Sequence, residues 1–173
     1  MQDRILKIGS WNVRGLGTPA KRAAVFDMLE VHEVGLICLQ ETHYTNEIKK
    51  QAQNRKFKYQ YHSVHTSYSR GVTVLVKKGV MFTCKQISID EEGWYVFLYC
   101  VIENREYVLA NIYIPPPLKL EVMYKLMDFT MDKTGIPFIA MGGFNEVIKN
   151  GIDFQGKVHR MPQRVGCISS YRR

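Results

Sequence analysis

From Val34 to Leu39 the chain runs through six apolar or glycine residues without a charge, then turns polar at Gln40, Glu41 and Thr42. An apolar run of that length suits a strand covered on both faces, because a half-exposed strand would alternate. The polar residues then fall where the strand leaves its sheet, the end at which open α/β sheets bind ligands. This marks Glu41 as the first candidate functional residue, against the alternative of a solvated loop acid.

The segments around this strand follow two periods. Arg4 to Trp11 reads as a first strand ending at Asn12. Thr18-Pro19 is an N-cap and first-turn signal. Ala24, Val25, Met28 and Leu29 then recur at helical spacing up to about Glu33. Strand, helix, strand makes the two strands parallel, which puts Asn12 and Glu41 at the same sheet edge. A polar stretch from Asn46 to Arg55 predicts a short surface helix. Beyond it the period falls to two: Phe57, Tyr59 and Tyr61, then Val72, Val74 and Val76 after an Arg70-Gly71 turn. Strands over Met81–Ile89, Trp94–Ile102 and Tyr107–Ile114 follow closely enough to predict an antiparallel meander, which Pro115-Pro116-Pro117 ends. Leu120, Met123, Tyr124, Met127 and Met131 then predict a helix over 118–132, with the methionines as core filler. Ile136–Met141 is another buried strand, breaking at Gly142-Gly143-Phe144-Asn145. Residues 151–173 show no sustained period and read as a basic loop or disordered tail after a domain spanning 1–150.

Composition narrows the class more than the function. The 173 residues, 46% hydrophobic and 23% charged, suit one ordinary globular domain. No run is long enough for a membrane span, and MQDRILK has no apolar signal core, so an intracellular protein without a membrane partner is expected. Cys38, Cys84, Cys100 and Cys167 lack metal-ligand spacing; the first three lie in strand-like stretches and read as buried free thiols. The net charge of +8 is concentrated in 157–173, where Lys157, Arg160, Arg164, Arg172 and Arg173 stand without an acid. Such a tail favours a polyanion, with nucleic acid first, although a charge run also serves solubility alone.

The strand ends carry Asn12, Gln40-Glu41, Asn111 with Tyr113, and Asn145. One carboxylate among amides and a phenol suits a hard divalent cation and a phosphate: magnesium takes one or two carboxylates and keeps water or substrate oxygens. Amides and a phenol donate to phosphate oxygens without adding negative charge. Taken singly, the asparagines also serve as turn formers and Tyr113 as cross-strand packing.

Five blocks in order, GSWNVRGL (9–16), LICLQETH (36–43), RGVTVLVKK (70–78), LANIYIPP (109–116) and AMGGFNEV (140–147), resemble the endonuclease/exonuclease/phosphatase superfamily. Within it they are similar to the apurinic-type endonuclease domain of non-LTR (LINE-type) retrotransposons. The resemblance implies a four-layer α/β/β/α sandwich of two mixed sheets, deoxyribonuclease I-like, here shortened at its C-terminus. It further implies phosphodiester cleavage of DNA, with RNA as an alternative partner, Mg²⁺ or Mn²⁺ as cofactor, and a nuclear location. By it, Glu41 is the carboxylate ligand of the metal and Asn12 its neighbour, Tyr113 positions the scissile phosphate, and Asn145 holds its developing charge. Lys77, Lys78, Lys157, Arg160 and Arg164 are the expected nucleic-acid contacts.

Two departures from the family pattern set the functional expectation. The family motif at 142–145 is Gly-Asp-Phe-Asn, whose aspartate orients the attacking water; here the position is Gly143. The family's Ser-Asp-His block, whose histidine contacts the phosphate, is absent up to Arg173, and no histidine of this sequence takes that role; His43, beside Glu41, is given a supporting one. Loss of a positioned acid or base costs ~10²–10⁴ in rate, and losses within one catalytic unit are not independent. The expectation is a catalytically impaired, retrotransposon-derived endonuclease-like domain. The alternatives are a non-catalytic nucleic-acid-binding module and an active phosphoesterase of the same superfamily.

Overall fold

A computed structural model of the chain describes residues 5–114 and 120–143, together with the backbone of 166–169. Its elements run β1 (Lys7–Asn12), α1 (Pro19–Val31), β2 (Leu36–Gln40), α2 (Asn46–Gln51), β3 (Phe57–Ser63), β4 (Val72–Lys77), β5 (Phe82–Ile89), β6 (Tyr95–Ile102), β7 (Arg105–Tyr113), α3 (Leu120–Thr130), β8 (Phe138–Gly143) and β9 (Gly166–Ser169). They form two mixed sheets, ordered β3-β4-β2-β1-β9 and β5-β6-β7-β8. With α1 and α2 packed on the first sheet and α3 on the second, the architecture is the four-layer α/β/β/α sandwich.

The strand pattern explains the layers. Along β2, Leu36 and Cys38 face the second sheet, while Ile37 and Leu39 face α1 and α2, so every residue is buried. The layer between the sheets holds Leu36, Cys38, Val72, Val74 and Val76 against Val96, Leu98, Cys100 and Leu109. Val25 and Leu29 of α1 cover the outside of the first sheet, and Val122, Leu126 and Phe129 of α3 cover the second. Thr18 caps α1, its hydroxyl accepting from the Lys21 amide at 3.4 Å with Pro19 behind it. Arg22 is buried on the same helix because its guanidinium donates to the carbonyls of Leu16 and Gly17, at 3.0 and 2.8 Å.

Both parallel crossovers act on the site. β1–α1–β2 pairs Asn12 with Gln40, and β7–α3–β8 pairs Tyr113 with Gly143. All four residues therefore leave their sheets at the same end of the sandwich.

Three expectations change. The meander is divided: β3 and β4 form a hairpin in the first sheet, and the chain crosses at Gly79 into the second, where β5, β6 and β7 are antiparallel. Periodicity reports which faces are buried and is blind to which sheet buries them. Of the apolar stripe expected along α3 and just after it, Met123 packs partly buried against the core, while Tyr124, Met127 and Met131 point outward at 62, 63 and 77% exposure. Val122, Leu126 and Phe129 form a competing i, i+4, i+7 face, and that one packs, so Met127 and Met131 are not core filler. Within the tail expected to be loop, Gly166–Ser169 forms β9, parallel to β1. Four residues are too few to show a period, and the open edge of β1 supplies the hydrogen bonds that order them. Of the cysteines read as buried thiols, Cys38 and Cys100 are buried, whereas Cys84 is only half-buried.

Candidate active site

The strand ends are tied into one framework by backbone hydrogen bonds. The loop after β1 pairs with the one after β2: the amides of Val13, Gly15 and Leu16 donate to Gln40, Glu41 and Thr42 at 3.0, 2.6 and 2.8 Å. The amides of Thr42 and His43 donate to Gly71 and Arg70, Gly71 donates to Gly93, and Tyr113 donates to Trp94, all within 3.1 Å. Sheet one is thereby stitched to sheet two just above the core.

That framework holds its residues in uncommon conformations. Arg14, Glu41, His43 and Arg70 have φ of 48, 52, 55 and 63°, in the left-handed region. Each such non-glycine residue costs on the order of 1–3 kcal/mol, and the surrounding bonds must hold it there. Gly71 and Gly93 are required by close approach: a Cβ on Gly93 would lie 2.6 Å from the Gly71 nitrogen. Backbone strain gathered at one sheet edge is the pattern expected of a functional site.

Glu41 is the centre of this cluster. Its Oε1 accepts from Asn12 Nδ2 at 2.9 Å, while Asn12 Oδ1 accepts from the Arg14 amide at 3.1 Å. The Tyr113 phenol lies near enough to the same carboxylate to feel its charge. Burial raises the Tyr113 pKa above the ordinary phenol value, Glu41 raises it further, and Arg70 pulls it back. His43 follows the opposite course: burial lowers it, Glu41 opposes, and Lys21 adds to the lowering. Near neutral pH the site presents a neutral imidazole and a neutral phenol around one carboxylate.

Asn12, Glu41, Tyr113 and Gly143 thus share one end of the sandwich. Asn145 lies outside the described residues, as do Lys157, Arg160 and Arg164. Lys77 and Lys78 lie at the opposite end of the sheet, because β4 runs antiparallel to β2 and pairs Val76 with Leu36. Lys77 is 3.8 Å from Glu30. The two lysines therefore contact nothing near Glu41. Asn111 also proves to be internal, its amide donating to the carbonyls of Leu39 and Thr73 at 3.0 and 2.9 Å.

Two features escaped sequence reasoning. The Arg70 guanidinium lies 3.9 Å over the Trp94 ring, and Trp94 stacks on Tyr113 at 6.5 Å and 11°. This places a cation beside the phenol. The Asp90 carboxylate holds the loop that presents Trp94, accepting from Ser63 Oγ at 2.5 Å and from the amides of Trp94 and Tyr95 at 3.0 and 2.9 Å. The Arg70-Gly71 turn was legible in the sequence. The approach of Trp94 and Asp90 to it was not, since they belong to the other sheet.

Glu41 and Asn12 supply hard oxygen donors at a partly open edge, a set that fits a divalent cation keeping several water or substrate oxygens. It does not fit zinc, and no group of three or more His, Cys, Asp or Glu with metal-site placement occurs among the described residues. No helix there is long and apolar enough to cross a membrane.

The fold recurs in solved structures. The human Nocturnin catalytic domain matches with a TM-score of 0.55 at 14% identity, over 79% of this chain and 63% of that one. A Bacteroides thetaiotaomicron mannosyl-6-phosphatase matches at 0.57 and 13%, over 80% and 64%. TDP2 from Caenorhabditis elegans matches at 0.59 and 18%, over 80% and 47%. The chain therefore spans between about half and two thirds of these structures. At such identities the likeness concerns the fold. The family model for the Endonuclease/Exonuclease/phosphatase family matches residues 9–148, from the strand that carries Asn12 to the end of the segment after Gly143. The chain belongs to the endonuclease/exonuclease/phosphatase family.

Proposed function

We propose that this chain is a divalent-metal phosphodiester hydrolase domain of the retrotransposon endonuclease type, acting on DNA, in which the chemical step is impaired. The observation that carries the reading is the Asn12–Glu41–Tyr113 cluster, in which the Asn12 amide donates to the Glu41 carboxylate and the phenol stands within reach of its charge. A phosphodiester carries negative charge that grows in the transition state, so the site needs a cation and neutral donors around it. Glu41, with Asn12 beside it, would hold Mg²⁺ or Mn²⁺, which when bound supplies charge neutralisation at the phosphate. Tyr113, kept neutral by burial and by Glu41, retains a proton to donate to a non-bridging oxygen. Arg70, held over Trp94 and paired with Glu92 at 3.3 Å, places a guanidinium on the same side.

The impairment rests on Gly143. It ends β8 in register with Tyr113, at the place where the family carries its water-orienting aspartate, and it has no side chain. Metal, phosphate donors and a water-aiming group act as one unit, so retaining the first two does not make good the loss of the third.

Plasmid nicking with and without Mg²⁺ or Mn²⁺, on intact and abasic DNA, tests the reading. No cleavage above background is expected from the unmodified chain, alongside divalent binding that depends on Glu41. Robust metal-dependent nicking that disappears in Glu41→Ala would overturn the impairment and keep the hydrolase assignment. Absence of divalent binding would overturn the metal site itself.

A further inference from the structure

A concave groove of about 580 Å³ lies on the outer face of the first sheet, between α2 and the edge strand β3. Lys49, Arg55, Lys58 and Lys78 line it together with the amides of Gln53 and Asn54, and no carboxylate contributes to its wall. The nearby acid Glu30 is engaged elsewhere, by Lys56 at 2.5 Å and by Lys77. Among the described residues none of the four lining cations has an ion-pair partner. Four cations in one concavity without a counter-charge repel one another, and a bound anion relieves that repulsion.

The cations follow a line. Lys78 donates its amide to the Lys56 carbonyl at the start of β3, which puts it beside Arg55. Lys58 follows along the strand. Lys49 lines the groove together with His62, near the strand's far end. From residue 58 to 62 a strand advances about 13 Å, the span of two or three phosphates along a nucleic-acid strand. A compact anion would need converging cations, whereas a linear array suits a chain of phosphates. The line also leads toward the candidate active site. Ser63 pairs with Val72 and Val72 with Gln40, so the end of β3 stands two strand spacings, about 10 Å, from the strand that presents Glu41.

We infer that this groove is a second contact for the phosphodiester backbone of a bound nucleic acid, flanking the site at Glu41 and holding the strand independently of sequence. The inference rests on the nucleic-acid reading above and adds a surface separate from the Asn12–Glu41–Tyr113 cluster. Its contacts would be to phosphates, with Gln53 and Asn54 donating between the charges.

The test is a salt titration of binding, read by fluorescence anisotropy with a labelled DNA duplex and the matching single strand. Lys49→Gln/Lys58→Gln is compared with Arg105→Gln/Lys125→Gln, an equal charge change on exposed positions of the second sheet and α3. Loss of two phosphate contacts should lower the log–log salt slope by about 1.8 on duplex and about 1.4 on the single strand. The groove variant should show this fall, with roughly tenfold or greater weakening, and the control should not. Thermal melts of both variants should match the unmodified chain, since the changed side chains are at the surface.

An equal fall in both variants would reduce the groove to general charge and overturn the inference. An unchanged slope in the groove variant, with the unmodified chain still binding, would overturn the groove alone. No binding by the unmodified chain at low salt would overturn the nucleic-acid reading and the groove with it. Saturable amide shifts over 53–60 with inorganic pyrophosphate but none with DNA would make it a small-anion site and overturn the backbone assignment.

Discussion

Gln40 on β2 donates its side-chain amide to Asn111 Oδ1 on β7 at 2.8 Å, across the gap between the two sheets. Both residues are almost fully buried, beside a layer of apolar side chains. Gln40 also reaches Ser10 Oγ and the Cys38 carbonyl, at 3.1 and 3.2 Å. The pair fixes how one sheet sits on the other directly beneath Glu41 and Tyr113. Asn111→Ala should therefore cost about 3 kcal/mol, because it strands buried partners on both strands. Gln40→Ala should cost about 2 kcal/mol. Denaturant titration of both single variants and the double variant should give a double-mutant cycle coupling of at least about 1 kcal/mol. Strict additivity would mean that the two amides act independently.

Glu41→Gln should remove divalent-ion binding, measured by calorimetry with Mn²⁺ and Mg²⁺. The same change should lower the Tyr113 pKa, since Glu41 is one of the causes that raise it. Carbon-13 titration of the Tyr113 Cζ signal checks this without any metal present. A Tyr113 titration identical in both proteins would separate the phenol from the carboxylate.

Asp90 should prove more important to the site than its distance along the sequence suggests. Asp90→Ala removes the acceptor for Ser63 and for the amides of Glu92, Trp94 and Tyr95. The expected cost is about 2–3 kcal/mol. Hydrogen exchange at the Trp94 and Tyr95 amides should accelerate while exchange in β2 stays slow. Asp90→Asn, which keeps one acceptor oxygen, should lose less. Uniform acceleration across both sheets would show that the loop unfolds only with the whole domain.

His62 should make stability fall on acidification. Burial pushes its pKa down from 6.5 to about 4, with Lys49 adding to the effect, and its Nδ1 is 2.9 Å from Thr73 Oγ1. Between those values the unfolded chain binds the proton and the folded chain does not, so stability drops as pH falls through that window. The full effect is about 3 kcal/mol. Denaturant midpoints measured from pH 7 to 4 should show a shallower decline in His62→Asn. Parallel declines in the two proteins would assign the acid sensitivity to other groups.

The sequence by itself determined the local units and the ends at which they stop. An uncharged run from Val34 to Leu39 suits a strand buried on both faces, and the strand–helix–strand unit before it suits a parallel pair. Asn12 and Glu41 were therefore bound to the same sheet edge before any coordinate was known. The break after Met141 likewise put Gly143 at a strand end. What only the tertiary structure decided is what faces what across the gap between sheets. Alternation in β3 and β4 was the same whichever sheet each strand joined, so the crossover at Gly79 left no trace in the period. Gln40 and Asn111, both polar at strand ends, looked alike as members of the candidate pocket. Their registers place them opposite one another and bury them as a pair. The two stripes of α3 were both apolar, and only the shape of the second sheet selected Val122, Leu126 and Phe129. Arg70 over Trp94 belongs to the same class. A contact between residues of different sheets depends on how those sheets are laid together, and no pattern within either strand encodes it.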